Sequence, residues 1–343
     1  MTSQQLQNAI IGAIRQQVPE GKNLADEIAG VLSLSKNGVY KRINGTTPLS
    51  LEDIAILSQH YRLPIDKILY PKAGGFQAEF SGFASKSSSF QYLDILENEI
   101  AALKDETDVQ TWYVTVGLPD FYCFYFDSLT IFQSYIWERM VWGNGEWQKK
   151  NFKLDISEKE NILTKTRRLV NHYSHIGTTQ IWNEYVLDNT LRQLLYIAES
   201  QLYDDENDLM LVCKDIGNLI EHLSEMAFAE KHFKPNGTPP CNAAKFSLLY
   251  NNTMQNNIFI FMKNKKRKEV YSILNTPNFI KTSDPEITDY IEGVLDGILK
   301  RAFPLGQQGE KYRQVYFGKL RARLRFYTEK IKAALSQQNS VII

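Results

Sequence analysis

The stretch Ile28–Leu69 decides the fold of the N-terminal part of the chain: IAGVLSLSKNGVYKRINGTTPLSLEDIAILSQHYRLPIDKIL. Its apolar residues recur at helical spacing, and the residues before it extend that pattern into a second helix over Asn23–Leu32. The tripeptide Ser33–Ser35 breaks the pattern, and Ser35 is a suitable N-cap for a third helix, Ser35–Ile43. Asn44-Gly45 then ends that helix, because both residues tolerate a left-handed backbone.

Three further helices complete this region. Apolar side chains from Leu6 to Ile14 predict an amphipathic first helix, which Val18-Pro19 ends. Ser50–Asp53 is an acidic variant of the capping box and opens a fourth helix. Pro64 suits the first position of a short fifth helix that ends near Leu69. Five short helices, with the second and third joined by a three-residue turn, predict a helix-turn-helix domain.

This region resembles the lambda-repressor-like family, which includes the phage repressor, Cro and Xre-type regulators. The resemblance covers about residues 6–70, and it is carried by Ile28-Ala29, the turn ending in Leu34-Ser35, Gly38–Gly45 and Leu63–Leu69. Leu24 stands where many relatives carry a polar helix cap, so Asn23 is the alternative cap here. The resemblance implies a DNA-binding domain whose third helix reads the operator.

The third helix supplies the candidate DNA contacts. At about 100° per residue, Val39 and Ile43 define its buried side, and Asn37 and Lys41 point nearly opposite. A recognition helix lies with its N-terminal part in the major groove, where lysine donates to guanine and asparagine pairs with adenine. The predicted base contacts are Lys36, Asn37, Tyr40 and Lys41, and the predicted phosphate contacts are Ser35, Arg42, Asn44, Thr46 and Thr47.

The same helix has an alternative interpretation. Taken alone, Lys36–Arg42 is more typical of a solvated surface, whereas within five correctly spaced helices it favours DNA binding. We therefore predict a sequence-specific transcriptional regulator. A protein-interaction or assembly factor, in which the helix-turn-helix contacts protein, is the alternative.

Composition shifts divide the chain into four parts. Residues 1–71 form the predicted helix-turn-helix domain, and residues 72–89, rich in Gly, Ser and Ala, form a linker. Residues 90–335 form a larger region for dimerisation or signal sensing, and residues 336–343 form a tail. The predicted fold class is mainly α, with one small β-hairpin in the larger region.

The larger region is predicted to be mostly helical. Its predicted helices are Phe90–Asp105, Phe121–Val141, Ser157–His175, Thr178–Tyr203, Asn207–His232, Pro285–Ala302 and Gly309–Leu335. Trp112–Val116 is β-prone, as are the runs Ser247–Tyr250, Asn257–Met262 and Glu269–Leu274. The last two runs flank the basic segment Lys263–Lys268, which predicts a hairpin with a basic tip.

The first of these helices bears on the oligomeric state. Leu93, Leu96, Ile100 and Leu103 follow heptad a and d spacing, which fits equally a helix packed on its own domain and a dimer seam. We expect a homodimer in either case, because domains of this class usually bind two half-sites.

Composition excludes several classes of protein. The 343 residues are 43% hydrophobic and 23% charged, which excludes a disordered or collagen-like chain. The 39 basic and 39 acidic residues cancel, so bulk charge does not indicate a nucleic-acid partner. No apolar run approaches the ~20 residues that cross a bilayer, and three scattered cysteines fit a reduced chain. We therefore expect a cytoplasmic protein without a membrane partner.

Motifs for catalysis are missing from the sequence. It contains no GxxxxGK, no GxGxxG after a strand, no GxSxG and no HExxH. His172 and His175 have no further ligands nearby in sequence, so no metal site is predicted. We expect neither an enzyme nor a cofactor, and an enzyme of unrecognised type is the least favoured hypothesis. The predicted partners are double-stranded DNA and a second copy of the chain, with a small-molecule or protein effector left open.

Overall fold

The computed structural model describes residues 2–19, 21–63, 65–69, 78–81, 88–104, 109–254, 258–275 and 278–339. The chain divides into two units, Met1–Gln77 and Ala78–Ile343. Most of the predicted linker, 72–89, lies outside the described residues, and so do residues 340–343 of the predicted tail.

The N-terminal unit contains five described helices. They are α1 (Ser3–Gln17), α2 (Leu24–Leu32), α3 (Lys36–Ile43), α4 (Leu51–Tyr61) and α5 (Ile65–Leu69). The predicted caps at Asn23, Ser35 and Ser50 are confirmed, because each side chain accepts a hydrogen bond from a backbone N–H of the first turn. These short helices persist by packing together, since isolated helices of this length are marginal in water.

The core of the N-terminal unit joins the helices through aliphatic side chains. Ile10, Ile14, Ile28, Val39 and Leu57 are fully buried in one cluster. Val39 therefore faces inward from α3, as its spacing predicts.

The C-terminal unit contains an eight-stranded sheet; the predicted hairpin is present as two neighbouring strands of this sheet, but the sequence under-predicted the β structure around it. The strands are β1 (Glu79–Ser81), β2 (Gln110–Thr115), β3 (Thr178–Trp182), β4 (Phe246–Tyr250), β5 (Phe259–Lys263), β6 (Lys268–Asn275), β7 (Asn278–Thr282) and β8 (Phe303–Pro304). The sheet order is β1-β7-β6-β5-β2-β3-β4-β8, and β2, β3 and β4 run parallel while every other neighbouring pair runs antiparallel.

The largest error concerns Thr178–Tyr203, which was predicted as one helix. The structure has β3 over Thr178–Trp182 and a separate helix over Asp188–Glu199. Strand β3 lies inside the sheet, and Gln180, Ile181 and Trp182 are all fully buried. A strand covered on both faces loses the alternation of apolar and polar residues, so its pattern does not separate it from a helix.

Eight described helices accompany the sheet. They are α6 (Ser89–Lys104), α7 (Asp120–Cys123), α8 (Asp127–Ile136), α9 (Lys159–Tyr173), α10 (Asp188–Glu199), α11 (Glu206–Ala229), α12 (Pro285–Leu299) and α13 (Glu310–Asn339). The predicted helix Phe121–Val141 is divided into α7, α8 and a π-helical turn, Trp137–Val141. The predicted helix Ser157–His175 begins later in the structure, because its N-cap is Glu158, which makes no side-chain capping hydrogen bond.

The sheet is covered on both faces. One face packs on α12, through a cluster that includes Val114, Phe261 and Leu295. The opposite face packs on a large aromatic core. Helix α6 belongs to that core, since Leu93 and Ile100 are buried in it and α6 packs on α9. The alternative in which this helix packs on its own domain is confirmed, and the side chain of Leu103 lies outside the described residues.

Basic segments of the C-terminal unit pair with acidic ones. Arg323 of α13 donates to both carboxylate oxygens of Asp188 at 2.8 Å, and Arg321 donates to both oxygens of Glu221 at 2.6 and 2.7 Å. Lys268, beside the tip of the β5–β6 hairpin, pairs with carboxylates of α12. Basic side chains of these segments thus pair with acidic side chains that lie far away in the sequence. None of the described helices combines the length and apolar character that crossing a bilayer requires.

Candidate functional sites

Helix α3 presents the predicted base contacts to solvent. Lys36, Asn37, Tyr40 and Lys41 are all exposed, and Tyr40 retains 45% of its accessible surface. Buried Val39 fixes the rotation of the helix. The structure therefore brings the four residues onto the solvent side of one short helix.

Lys36 is engaged with a neighbouring helix. Its Nζ lies 2.6 Å from Asp26 Oδ1 of α2, and this hydrogen bond raises the pKa of Lys36. Both side chains are exposed, and ion pairs of that kind contribute little to stability. A guanine contact by Lys36 would replace this ion pair.

Arg42 is tied to the interior of the N-terminal unit. Its Nε donates to Asp53 Oδ2 at 2.8 Å, and only 19% of the side chain is exposed. Asp53 also accepts from the backbone N–H of Ser50, so one carboxylate joins α3 to the start of α4. Burial alone would raise the pKa of Asp53, but the hydrogen bonds from Arg42 and Ser50 outweigh it and hold that pKa below its ordinary value. Arg42 therefore has a structural role in this unit, and its phosphate contact remains a prediction.

The loop after α3 folds back onto the end of that helix. Thr46 Oγ1 donates to the Lys41 carbonyl at 2.9 Å, and the Thr47 backbone N–H donates to the same carbonyl at 3.1 Å. Ser35 Oγ accepts from the Gly38 N–H, which leaves the Ser35 hydroxyl proton for another acceptor. Asn44 is exposed where α3 ends. A phosphate contact by the Thr46 hydroxyl would replace its bond to Lys41.

Sequence reasoning missed Gln7, which holds this loop in place. Gln7 lies on α1 and is 5% exposed. Its Nε2 donates to the carbonyls of Arg42 at 2.7 Å and Thr47 at 3.0 Å, and its Oε1 accepts from the Leu49 N–H at 3.0 Å. A signal was present in the sequence, because Gln7 shares the buried stripe of α1 with Ile10 and Ile14.

The C-terminal unit contains a cavity of about 560 Å³. The cavity lies on the sheet face opposite α12. Alternate residues of β2 line it, namely Thr111, Tyr113 and Thr115, whereas Val114 points to the other face and packs toward α12. Helices α6, α8 and α10 also contribute lining residues. Its volume falls within the range of small-molecule sites.

Asp120, the first residue of α7, lines this cavity among aromatic side chains. It accepts a hydrogen bond from Tyr92 Oη at 3.1 Å. Desolvation raises the pKa of Asp120 to about 7, and the Tyr92 hydrogen bond opposes that rise. The adjacent Phe121 stacks on Tyr173, with ring centroids 4.2 Å apart. Sequence reasoning missed this residue, although a lone acid after Pro119 in an aromatic segment was a signal.

Comparisons with known proteins add no relative. No family model matches the sequence, no curated protein matches it, and no solved structure matches the fold. Within the described residues, no group of three or more His, Cys, Asp and Glu side chains is placed to hold a metal ion.

Proposed function

We propose that this protein is a sequence-specific DNA-binding transcriptional regulator of lambda-repressor-like type. Helix α3 enters the major groove in this proposal, and the C-terminal unit dimerises or senses a signal. The observation that carries it is the exposure of Asn37, Tyr40 and Lys41 on a helix whose opposite side is anchored by Val39. Asparagine and lysine at such positions match adenine and guanine edges.

The surroundings of α3 support the same proposal. The caps at Asn23 and Ser35 fix the starts of α2 and α3, and Gln7 fixes the loop after α3. Base readout requires a helix held rigidly against its neighbours, because a small displacement breaks the hydrogen bonds that discriminate bases.

We also propose that the regulator acts as a homodimer. A single short recognition helix makes few base contacts, so two half-sites about 34 Å apart are the usual solution. Light scattering of the full chain, with and without operator DNA, measures the oligomeric state. A monomer at tens of micromolar in both cases contradicts this part of the proposal.

Selection of bound DNA from a random pool tests the proposal most directly and also yields the operator. The affinity for the selected site should fall steeply as salt rises, because binding releases counterions from the DNA and this release is less favourable at higher salt. A pool without enrichment, together with an affinity that salt leaves unchanged, contradicts DNA binding.

Three variants separate base reading from anchoring. Asn37→Ala should cost about 1–3 kcal/mol on the selected site and much less on random DNA, because it removes a base contact. Thr46→Ala should weaken binding to both DNAs by similar factors, because a phosphate contact carries no sequence information. Glu52→Ala is a control on α4, where an exposed acid lies outside the predicted contacts. Equal losses for Asn37→Ala on both DNAs, with the fold intact, would show that α3 does not read bases.

An exposed apolar side chain favours the alternative of a protein-interaction factor. Leu51, the first residue of α4, retains 87% of its accessible surface. Leu51→Ser should leave DNA affinity unchanged if α3 alone reads DNA. If Leu51→Ser instead abolishes binding of a copurifying protein while no DNA site is selected, the alternative is supported.

A further inference from the structure

The cavity of the C-terminal unit has a charge pattern that restricts its ligand. Its described lining residues include two carboxylates, Glu99 and Asp120, and no Lys, Arg or His. An anionic ligand would therefore enter a space that already contains two acidic groups and no described cation in its lining. This pattern disfavours carboxylates and phosphates and favours a cation.

The two carboxylates differ in their surroundings. Glu99 accepts from Tyr271 Oη at 3.4 Å and lies 3.8 Å from Lys281 Nζ, so a cation already compensates it. Among the described residues, Asp120 has no ion-pair partner, and Tyr92 is its side-chain hydrogen-bond donor. A carboxylate that forms in this environment is therefore stabilised most by a cation supplied from outside the chain.

The rest of the lining fits an apolar ligand body. Ile258, Ile260 and Met262 of the β5 region line the sheet side of the cavity, and the stacked rings of Phe121 and Tyr173 line it as well. Aromatic faces attract cations as well as apolar groups, and this attraction grows when the cation is desolvated. A ligand here has an apolar or aromatic body and one cationic end.

We propose that this cavity binds a cationic amine with an apolar body, and that the ammonium group lies at Asp120. The proposal goes beyond the proposed function and does not depend on it, because it rests on the cavity alone. An amine effector of a regulator and an amine bound for another purpose have the same chemistry at this site.

Three probe molecules of similar size test the proposal on the full chain. Phenethylamine, phenethyl alcohol and phenylacetate share one ring and a short chain but differ in charge. All five tryptophans belong to the C-terminal unit, so tryptophan fluorescence reports its thermal transition alone. Millimolar phenethylamine should raise the midpoint temperature of this transition, whereas phenethyl alcohol and phenylacetate should raise it far less. Equal shifts from the three probes, or no shift from phenethylamine, would overturn the proposal.

A charge-removing variant locates the ammonium group. Asp120→Asn keeps the shape and an acceptor for Tyr92, and it should weaken phenethylamine binding at least about tenfold by calorimetry. Its affinity for phenethyl alcohol should change less than about threefold. Asp127→Asn is the matched control, because Asp127 is exposed, pairs with Arg167 and does not line the cavity. Unchanged amine affinity in Asp120→Asn would refute the placement of the ammonium group at Asp120. The three probes test amine binding on the wild-type chain, so that test does not depend on any variant.

The pH dependence of binding provides a second readout. With a pKa of about 7 for Asp120, the ionised fraction rises about tenfold from about pH 6 to about pH 8, and amine affinity should rise by the same factor. Tyr92, Tyr113, Cys123 and Tyr173 face this region, and burial raises their pKa values above the ordinary ones, so they stay neutral throughout. Glu99 remains in every variant. The increase in amine affinity with pH should disappear in Asp120→Asn. If the increase persists in that variant, a group other than Asp120 causes it.

Discussion

Replacing Gln7 by Met should lower the free energy of unfolding of the N-terminal unit by about 3 kcal/mol. The variant keeps the length and volume of the side chain, so the loss comes from three hydrogen bonds, to Arg42, Thr47 and Leu49. Neutral hydrogen bonds contribute about 0.5–1.5 kcal/mol each, and a buried partner left unpaired costs about 1–3 kcal/mol. Because the loop can admit water, we take about 1 kcal/mol for each bond.

Hydrogen exchange on the full chain measures this loss, because the N-terminal unit contains no tryptophan to report it. A destabilisation of about 3 kcal/mol should speed exchange of protected amides in α1–α4 by roughly 140-fold. The C-terminal unit, which provides an internal reference, should exchange at its wild-type rate.

Gln16→Met is the matched control on the same helix, because Gln16 is exposed. Its effect should stay within about 0.5 kcal/mol, as for most surface substitutions. Equal exchange rates in the two variants would refute the role of Gln7 in holding the loop after α3.

Four other predictions concern stability. A fragment that ends at Lys72 should show a cooperative thermal transition by circular dichroism, and a gradual melt would contradict the domain boundary. Val39→Ala should destabilise the N-terminal unit by about 0.5–3 kcal/mol in urea, through lost core volume. The pKa of Asp53 is lowered in the folded state, so the N-terminal unit should lose stability as pH falls below about 4. Hydrogen exchange should show that the same fall in pH destabilises Asp53→Asn less than it destabilises the wild-type chain. The pKa of Asp120 is raised in the folded state, so the free energy of unfolding of the C-terminal unit should fall by on the order of 3 kcal/mol as pH rises from about 4 to about 7. Unfolding monitored by tryptophan fluorescence should show that Asp120→Asn removes this pH dependence.

The five helices of the N-terminal unit follow closely from local sequence. Asn23, Ser35 and Ser50 cap helices by bonding to groups two or three residues away, so neighbouring residues contain the whole signal. The direction of Val39 follows from helical spacing within one short segment. These features were predictable because each depends on contacts within one or two turns of helix.

Individual side-chain roles in the same unit depended on contacts between helices. The sequence predicts a phosphate contact for Arg42, but it does not show that Asp53, eleven residues away, forms an internal ion pair with this side chain. Gln7 bonds to the chain 35 to 42 residues further on. The choice between a surface cation and an internal ion pair is made by packing, which a helical pattern does not contain.

In the C-terminal unit the sequence determined most of the helices, whereas the tertiary structure decided the sheet and the cavity. Strand β2 pairs with β3 and β5, whose partner residues lie far along the chain, and buried β3 carries no alternating pattern. Asp120 lies in an acidic, aromatic cavity only because α6, β2 and α10 meet around it. Local sequence thus sets which segments form helices, while long-range pairing and desolvation determine where a carboxylate is buried and how it titrates.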